Sequence, residues 1–131
     1  MEESLSLDGV YTSDRGMHLF ALLAPDLETV ASNLRYAVQN HTSFEVSVSN
    51  GRIRFTPGSS RSFDAVLSSA GSIQITADPD YLSSLADTLT HMANETDPEL
   101  IGLIHTHLDV YLSHPQTGIS DIVIERIDKK A

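Results

Sequence analysis

The segment HTHLDVY, residues 105–111, carries the side chains of this chain that are best suited to chemistry. His105, His107 and Asp109 occupy every second position, so in an extended strand their side chains would share one face. Two neutral imidazoles and a carboxylate on one strand face are a ligand set for zinc or iron. One hypothesis is therefore a metal-binding domain or metal-dependent enzyme that uses these three residues, with His91 and His114 as candidates for further ligands.

The same spacing also fits a half-buried strand without any catalytic role. Alternation would then place His105, His107, Asp109 and Tyr111 on a face open to water. A catalytic metal also needs groups that orient its ligands and a pocket that excludes water, and no motif in the sequence supplies either. This interpretation predicts a strand face that is kept for contact, with no catalytic residue and no cofactor.

Other catalytic chemistries lack the residues they require. The chain contains no cysteine, which excludes thiol nucleophiles, disulfides and thiolate metal sites. The only lysines are Lys129 and Lys130 at the C-terminal end, so a Schiff-base or phosphate-loop lysine has no candidate. The sequence has neither a nucleophile elbow nor a glycine-rich phosphate loop. We therefore predict that the protein is not an enzyme.

The charge distribution indicates which partners the protein could bind. Eight basic residues stand against 18 acidic ones, a net charge of -10, and neither Lys nor Arg occurs between Arg61 and Arg126. Such a chain repels nucleic acid and anionic membranes, because binding them depends on Lys and Arg. Opposite charges speed encounter, so the predicted partner is a basic protein. The acidic start and the lack of a long apolar run predict a cytoplasmic protein.

Hydrophobic periodicity predicts the elements that position the histidine strand. Helical spacing occurs over residues 27–38 and again over 78–93, where Asp78 is a natural N-cap before Pro79. A strand-like run precedes each helix and two follow it, and Asn50-Gly51 is a strong hairpin signal. The predicted fold is α+β, with two β-α-β-β units forming an antiparallel or mixed sheet and two helices on one face. An added strand is expected near residues 62–69.

One domain is expected, since 131 residues fall within the usual range for a single core. The units would span about residues 17–56 and 72–127, with flexible ends at 1–8 and 128–131. Alternation turns one set of strand residues towards the helices. These apolar residues are Phe44, Val46, Val48, Ile53, Phe55, Leu108, Val110, Ile122 and Ile124.

Three motifs of the second unit carry a resemblance to a known family. LSSLADTLTHMA is followed by HTHLDVYL and then by SDIVIERID. In this order the motifs resemble the immunity protein 32 family of bacterial polymorphic toxin systems, over about residues 72–128. The resemblance implies a cytoplasmic protein that neutralises a cognate toxin by binding it.

An acidic surface could serve that role by occupying a basic groove of the toxin. The substrate groove of a nuclease, for example, must be basic to bind nucleic acid. An alternative is a homo-oligomeric structural or ligand-binding module, in which the open sheet face packs on a second copy, giving a homodimer. For toxin binding, the predicted contact patch combines the polar face of the histidine strand with the acidic loop before it. Its residues are Glu95, Asp97, Glu99, His105, His107, Asp109 and Tyr111.

Overall fold

The structure is a computed structural model, and it describes residues 3–69, 71–97, 104–108 and 119–128. These residues contain two helices and nine strands, so the α+β class is confirmed. In chain order the elements are β1 (Glu3–Ser6), β2 (Val10–Asp14), β3 (Met17–Leu23), α1 (Ala24–Asn40), β4 (Phe44–Val48), β5 (Gly51–Pro57), β6 (Phe63–Ser69), β7 (Ser72–Ala77), α2 (Pro79–Asn94), β8 (His105–His107) and β9 (Asp121–Ile127).

The strands divide between two mixed sheets, whereas the sequence pattern predicted one. The five-stranded sheet has the order β1-β4-β5-β7-β6, and the four-stranded sheet has the order β2-β3-β9-β8. Two parallel pairings cause the division, because β3 pairs with β9 and β5 pairs with β7. Each β-α-β-β unit therefore contributes strands to both sheets.

The two halves of the chain follow one pairing scheme. In the first half the hairpin β2–β3 precedes α1 and the hairpin β4–β5 follows it. In the second half β6–β7 precedes α2 and β8–β9 follows it. The β6 strand lies where the added strand was expected. Each sheet consequently contains one hairpin from each half.

The first strand lies outside this scheme. Residues 1–8 were expected to form a flexible end, but Glu3–Ser6 instead form β1, which pairs in parallel with β4. Leu5 packs against the core and Leu7 extends the pairing through a backbone hydrogen bond to Ser47. This short segment could not be recognised from periodicity, because Leu5 is its only apolar residue.

The helices form where the apolar period predicted them. The buried residues of α1 and those of α2 recur every three or four positions, so each helix presents one apolar stripe. These stripes meet the inward residues of both sheets in one core. All the apolar strand positions named above are buried, except that Val48 is partly exposed and Val110 lies outside the described residues.

The Asn50-Gly51 turn joins the two sheets as well as closing a hairpin. The Asn50 side chain accepts a hydrogen bond from the Tyr11 backbone N–H at 3.0 Å and donates one to the Tyr11 carbonyl at 2.6 Å. A Cβ atom at Gly51 would lie 2.5 Å from the Tyr11 ring, so only glycine fits there. The hairpin predicted from these two residues is confirmed, and it also fixes β2 against β5.

Candidate functional site

The two histidines lie on the strand that their spacing predicted. β8 pairs antiparallel with β9, so that His105 faces Glu125 and His107 faces Val123 across the ladder. Both histidines are exposed, whereas Leu108 is buried in the core. The polar face of this strand is thus confirmed for the described positions. Asp109, Tyr111 and Glu99, which were predicted to join the patch, lie outside the described residues.

An aspartate that the sequence did not single out holds one of these histidines. His107 Nδ1 lies 2.8 Å from Asp121 Oδ2, and the His105 and His107 rings meet edge to face with centroids 5.0 Å apart. Asp121 is the first residue of β9, and its contact depends on the β8–β9 register. Sequence spacing alone could not reveal that register.

The described residues do not complete a metal site. No group of three or more His, Asp or Glu side chains among them is placed to hold a metal ion. His91 is exposed on α2, and both Asp109 and His114 lie outside the described ranges. The metal hypothesis therefore depends on a third ligand that the structure does not describe.

Glu95, one of the predicted acidic residues before the strand, lies on the other side of the sheet. The Glu95 side chain accepts hydrogen bonds from the backbone N–H groups of Thr96 and Asp97, at 3.1 and 3.0 Å. The Glu95 carbonyl accepts a hydrogen bond from Arg126 Nη1 at 2.8 Å. Arg126 points towards α2, and the histidines point away from it. Glu95 thus lies at the end of α2, on the face of β9 opposite the histidines.

The outward side of the four-stranded sheet, which we call the outer face, brings the histidines together with other residues. The registers place Met17 between Asp14 and Asp121, and Leu19 beside Val123. Met17 is 38% exposed, while Val123 is only 5% exposed. The outer face comprises Val10, Thr12, Asp14, Met17, Leu19, Ala21, His105, His107, Asp121, Val123 and Glu125.

The charges on the outer face are acidic. Asp14, Asp121 and Glu125 belong to it, and none of its described residues is Lys or Arg. Arg15 is exposed in the β2–β3 turn at the end of the face, and Arg126 is directed towards α2. An apolar centre with a polar, charged rim is the usual composition of a protein contact surface.

A groove with a volume of about 550 Å³ lies elsewhere. It runs along the β1–β2 connection and β4, and Asp8 lines it. Partial burial raises the pKa of Asp26 at the start of α1, and the charge of Asp8 raises it further. Ser6, Ser47 and Ser49 line the groove together with Asp8, and its lining contains neither His nor Lys.

Comparison with known proteins bears out the resemblance drawn from the sequence. Residues 72–127 match the family model described as Immunity protein 32, a segment that covers less than half of the chain. The matched segment begins at the first residue of β7 and ends at the last residue of β9. No curated protein matches the chain significantly. Within the described ranges, neither helix has the length and apolar character needed to cross a membrane.

Proposed function

We propose that this protein is a cytoplasmic immunity protein that binds and neutralises a cognate bacterial toxin. The observation that carries the proposal is the match of residues 72–127 to the Immunity protein 32 family, which spans whole secondary-structure elements from β7 to β9. The action is contact rather than catalysis. The exposed histidine strand supports this choice.

Charge favours a basic toxin. The chain carries a net charge of -10, and opposite fields raise association rates and exclude acidic competitors. A toxin that acts on nucleic acid would present a basic groove of the kind this protein could fill.

The proposed contact patch keeps the residues predicted from the sequence and is centred on His105 and His107. Tyr111, Asp109 and Glu99 belong to the patch from the sequence pattern alone. Glu95 and Asp97 lie near the end of α2, so a partner would contact them by passing around β8, the edge strand of its sheet. Tyrosine is enriched among residues that dominate binding energy, so Tyr111→Ala is expected to weaken binding more than any other single change in the patch.

The test begins with affinity purification of the tagged protein from its own cells at low salt. A stoichiometric basic polypeptide that is released by raising the salt concentration is expected, and mass spectrometry identifies it. That polypeptide should arrest growth when it is expressed alone in a bacterial host, and co-expression of the present protein should restore growth.

Two variants make the growth assay specific. His107→Ala should reduce the rescue, and Gln74→Ala, on the exposed side of the five-stranded sheet, should leave it intact. Purified protein that contains zinc or iron and no protein partner would contradict the proposal and favour the metal site of His105, His107 and Asp109. A stable homodimer that restores no growth would favour the oligomeric module.

A further inference from the structure

The two sheets provide an internal comparison of exposed faces. Strands β3 and β9 of the four-stranded sheet correspond to β7 and β5 of the five-stranded sheet. The parallel pair Met17–Asp121 therefore corresponds to the pair Ser72–Arg52. Two residues further along, Leu19 with Val123 corresponds to Gln74 with Arg54. In the five-stranded sheet these positions are polar, although Ser72 itself is buried and the exposed Val66 of β6 pairs with Gln74. In the four-stranded sheet three of the four are apolar.

The apolar character of the outer face is most accessible at Met17, since Val10 and Leu19 are half-buried. Val123 and Ala21 are buried, but Met17 is among the few large apolar side chains of the described residues that are exposed. Met17 is 38% exposed, so a partner that covers it would gain part of the about 1.5–3 kcal/mol that full burial of such a side chain contributes. The equivalent residue, Ser72, is small, polar and buried and offers no such apolar surface.

Two carboxylates flank this methionine. The register places Asp14 of β2 on one side of Met17 and Asp121 of β9 on the other. Where Asp121 stands in this sheet, the other sheet has Arg52, so the charge is inverted at equivalent positions. A Lys or Arg side chain is complementary to both the exposed methionine and the carboxylates. Its aliphatic stem can cover apolar surface while its charged head remains in a polar environment.

We infer that the Asp14, Met17 and Asp121 row receives a Lys or Arg side chain from a basic protein partner. The stem lies along Met17, and the cationic head lies between the two carboxylates. That the partner is a toxin rests on the proposed function. The position of the binding surface rests only on the outer face and on its comparison with the five-stranded sheet.

The first test uses an oligoarginine peptide as the probe, at low salt, with protein that carries ¹³C-labelled methionine methyl groups. The Met17 methyl resonance is expected to shift on titration. Met92 is 6% exposed and packs in the core, so its resonance should not move and serves as the control. A Met17 resonance that stays fixed through the titration, or no binding at all, would overturn the inference.

Variants that neutralise single carboxylates then test which of them bind the peptide. Asp14→Asn and Asp121→Asn should each weaken the peptide by about two- to fivefold, the usual size of an exposed ion pair. The matched control is Asp64→Asn, which removes the same charge from an exposed position on β6 and should change affinity little. Equal losses in all three variants would show that only net charge matters and would refute a specific site.

The toxin identified by growth arrest separates this inference from the proposed function. If the chain protects cells and the Asp14→Asn, Asp121→Asn double variant protects equally well, the function stands and the surface is wrong. If the peptide shifts Met17 but no toxin is neutralised, the surface stands and the proposed function is wrong.

Discussion

The two halves of the chain use the same order of strands around a helix but hold that helix in different ways. Helix α1 has no side-chain cap at its start, and it ends through the backbone, with His41 left-handed and Thr42 N–H bonded to the Ala37 carbonyl. Helix α2 is held by side chains at both ends. Asp78 accepts hydrogen bonds from the N–H groups of Asp80 and Arg61, and Arg126 of β9 occupies the carbonyls at the C-terminal end.

This difference shows how the matched segment is built. In the second half, Arg126 ties the C-terminal end of helix α2 to β9, the strand that carries Asp121 and Val123. In the first half the helix ends without such a tie among the described residues. Four experiments test this difference between the halves.

The largest effect is expected from isolating the second half. A fragment of residues 61–128 contains the matched segment but lacks β3 and β5, the parallel partners of β9 and β7. We expect it to have no folded monomeric state. Circular dichroism and mass in solution test this. A fragment that is monomeric and cooperatively folded would show that the halves are independent domains, contrary to the single domain expected for the chain.

Arg126→Ala should give the next largest effect. The Arg126 side chain is 9% exposed and donates hydrogen bonds to the carbonyls of Met92 and Glu95, both at 2.8 Å. Its loss leaves those carbonyls without a donor, which should lower the free energy of unfolding by about 2–3 kcal/mol. Urea denaturation measures the change.

The control for that variant is Arg35→Ala. Arg35 bonds to Asp87 and Thr90 between the helices, but the ion pair is exposed. Its removal should cost at most about 1 kcal/mol. If Arg126→Ala lowers the free energy of unfolding no more than Arg35→Ala does, the tie between α2 and β9 contributes little stability.

His18 offers a smaller effect that depends on pH. It is 4% exposed, its Nδ1 lies 2.6 Å from the Tyr11 hydroxyl, and its Nε2 has no hydrogen-bond partner among the described residues. Burial lowers the pKa of His18 below its ordinary value of 6.5. The unfolded chain then binds the proton more readily, so stability is full above pH 6.5 and falls as the pH drops below it.

The comparison of halves supplies the variant for this test. Ile73 occupies the position in β7 that His18 occupies in β3, since each pairs with a buried isoleucine. His18→Ile should therefore reduce the loss of stability between pH 6.5 and more acidic values. Thermal unfolding across this range measures it. An unchanged pH dependence in the variant would show that other groups cause the acid sensitivity.

The smallest effect is expected at the start of α2. The backbone hydrogen bond from Arg61, followed by that from Asp80, holds the pKa of Asp78 below its ordinary value. The stability it contributes is present above that ordinary value and is lost as the pH falls through the lowered pKa. Asp78→Ala should lower the melting temperature at neutral pH, and Asp80→Ala, which keeps both backbone bonds to Asp78, should lower it less. The reverse order would contradict the capping role.

Local sequence patterns predicted the helices and strands of this molecule better than the pairings between distant strands. The helices, the Asn50-Gly51 hairpin and the inward positions of β4, β5 and β9 follow from periods of two and 3.6 and from turn chemistry. The division into two sheets does not, because it depends on β3 meeting β9 and β5 meeting β7 across the whole chain.

The candidate site shows the same limit. His105 and His107 were found from alternation within one strand. Asp121 and Met17 were not, since their places beside His107 and Asp14 depend on which strands are neighbours. Arg126 was missed as the tie to α2 for the same reason, because a charged residue near the end of a strand has no periodic signal.

The parallel pairing of β3 with β9 has a consequence for synthesis on the ribosome. β3 leaves the ribosome early and β9 late, so the centre of the outer face cannot form until nearly the whole described chain has been made. Pairings between such distant segments also slow folding, because the chain loses more entropy in closing the loop. The complete outer face of a newly made molecule therefore forms only after β9 has been synthesised.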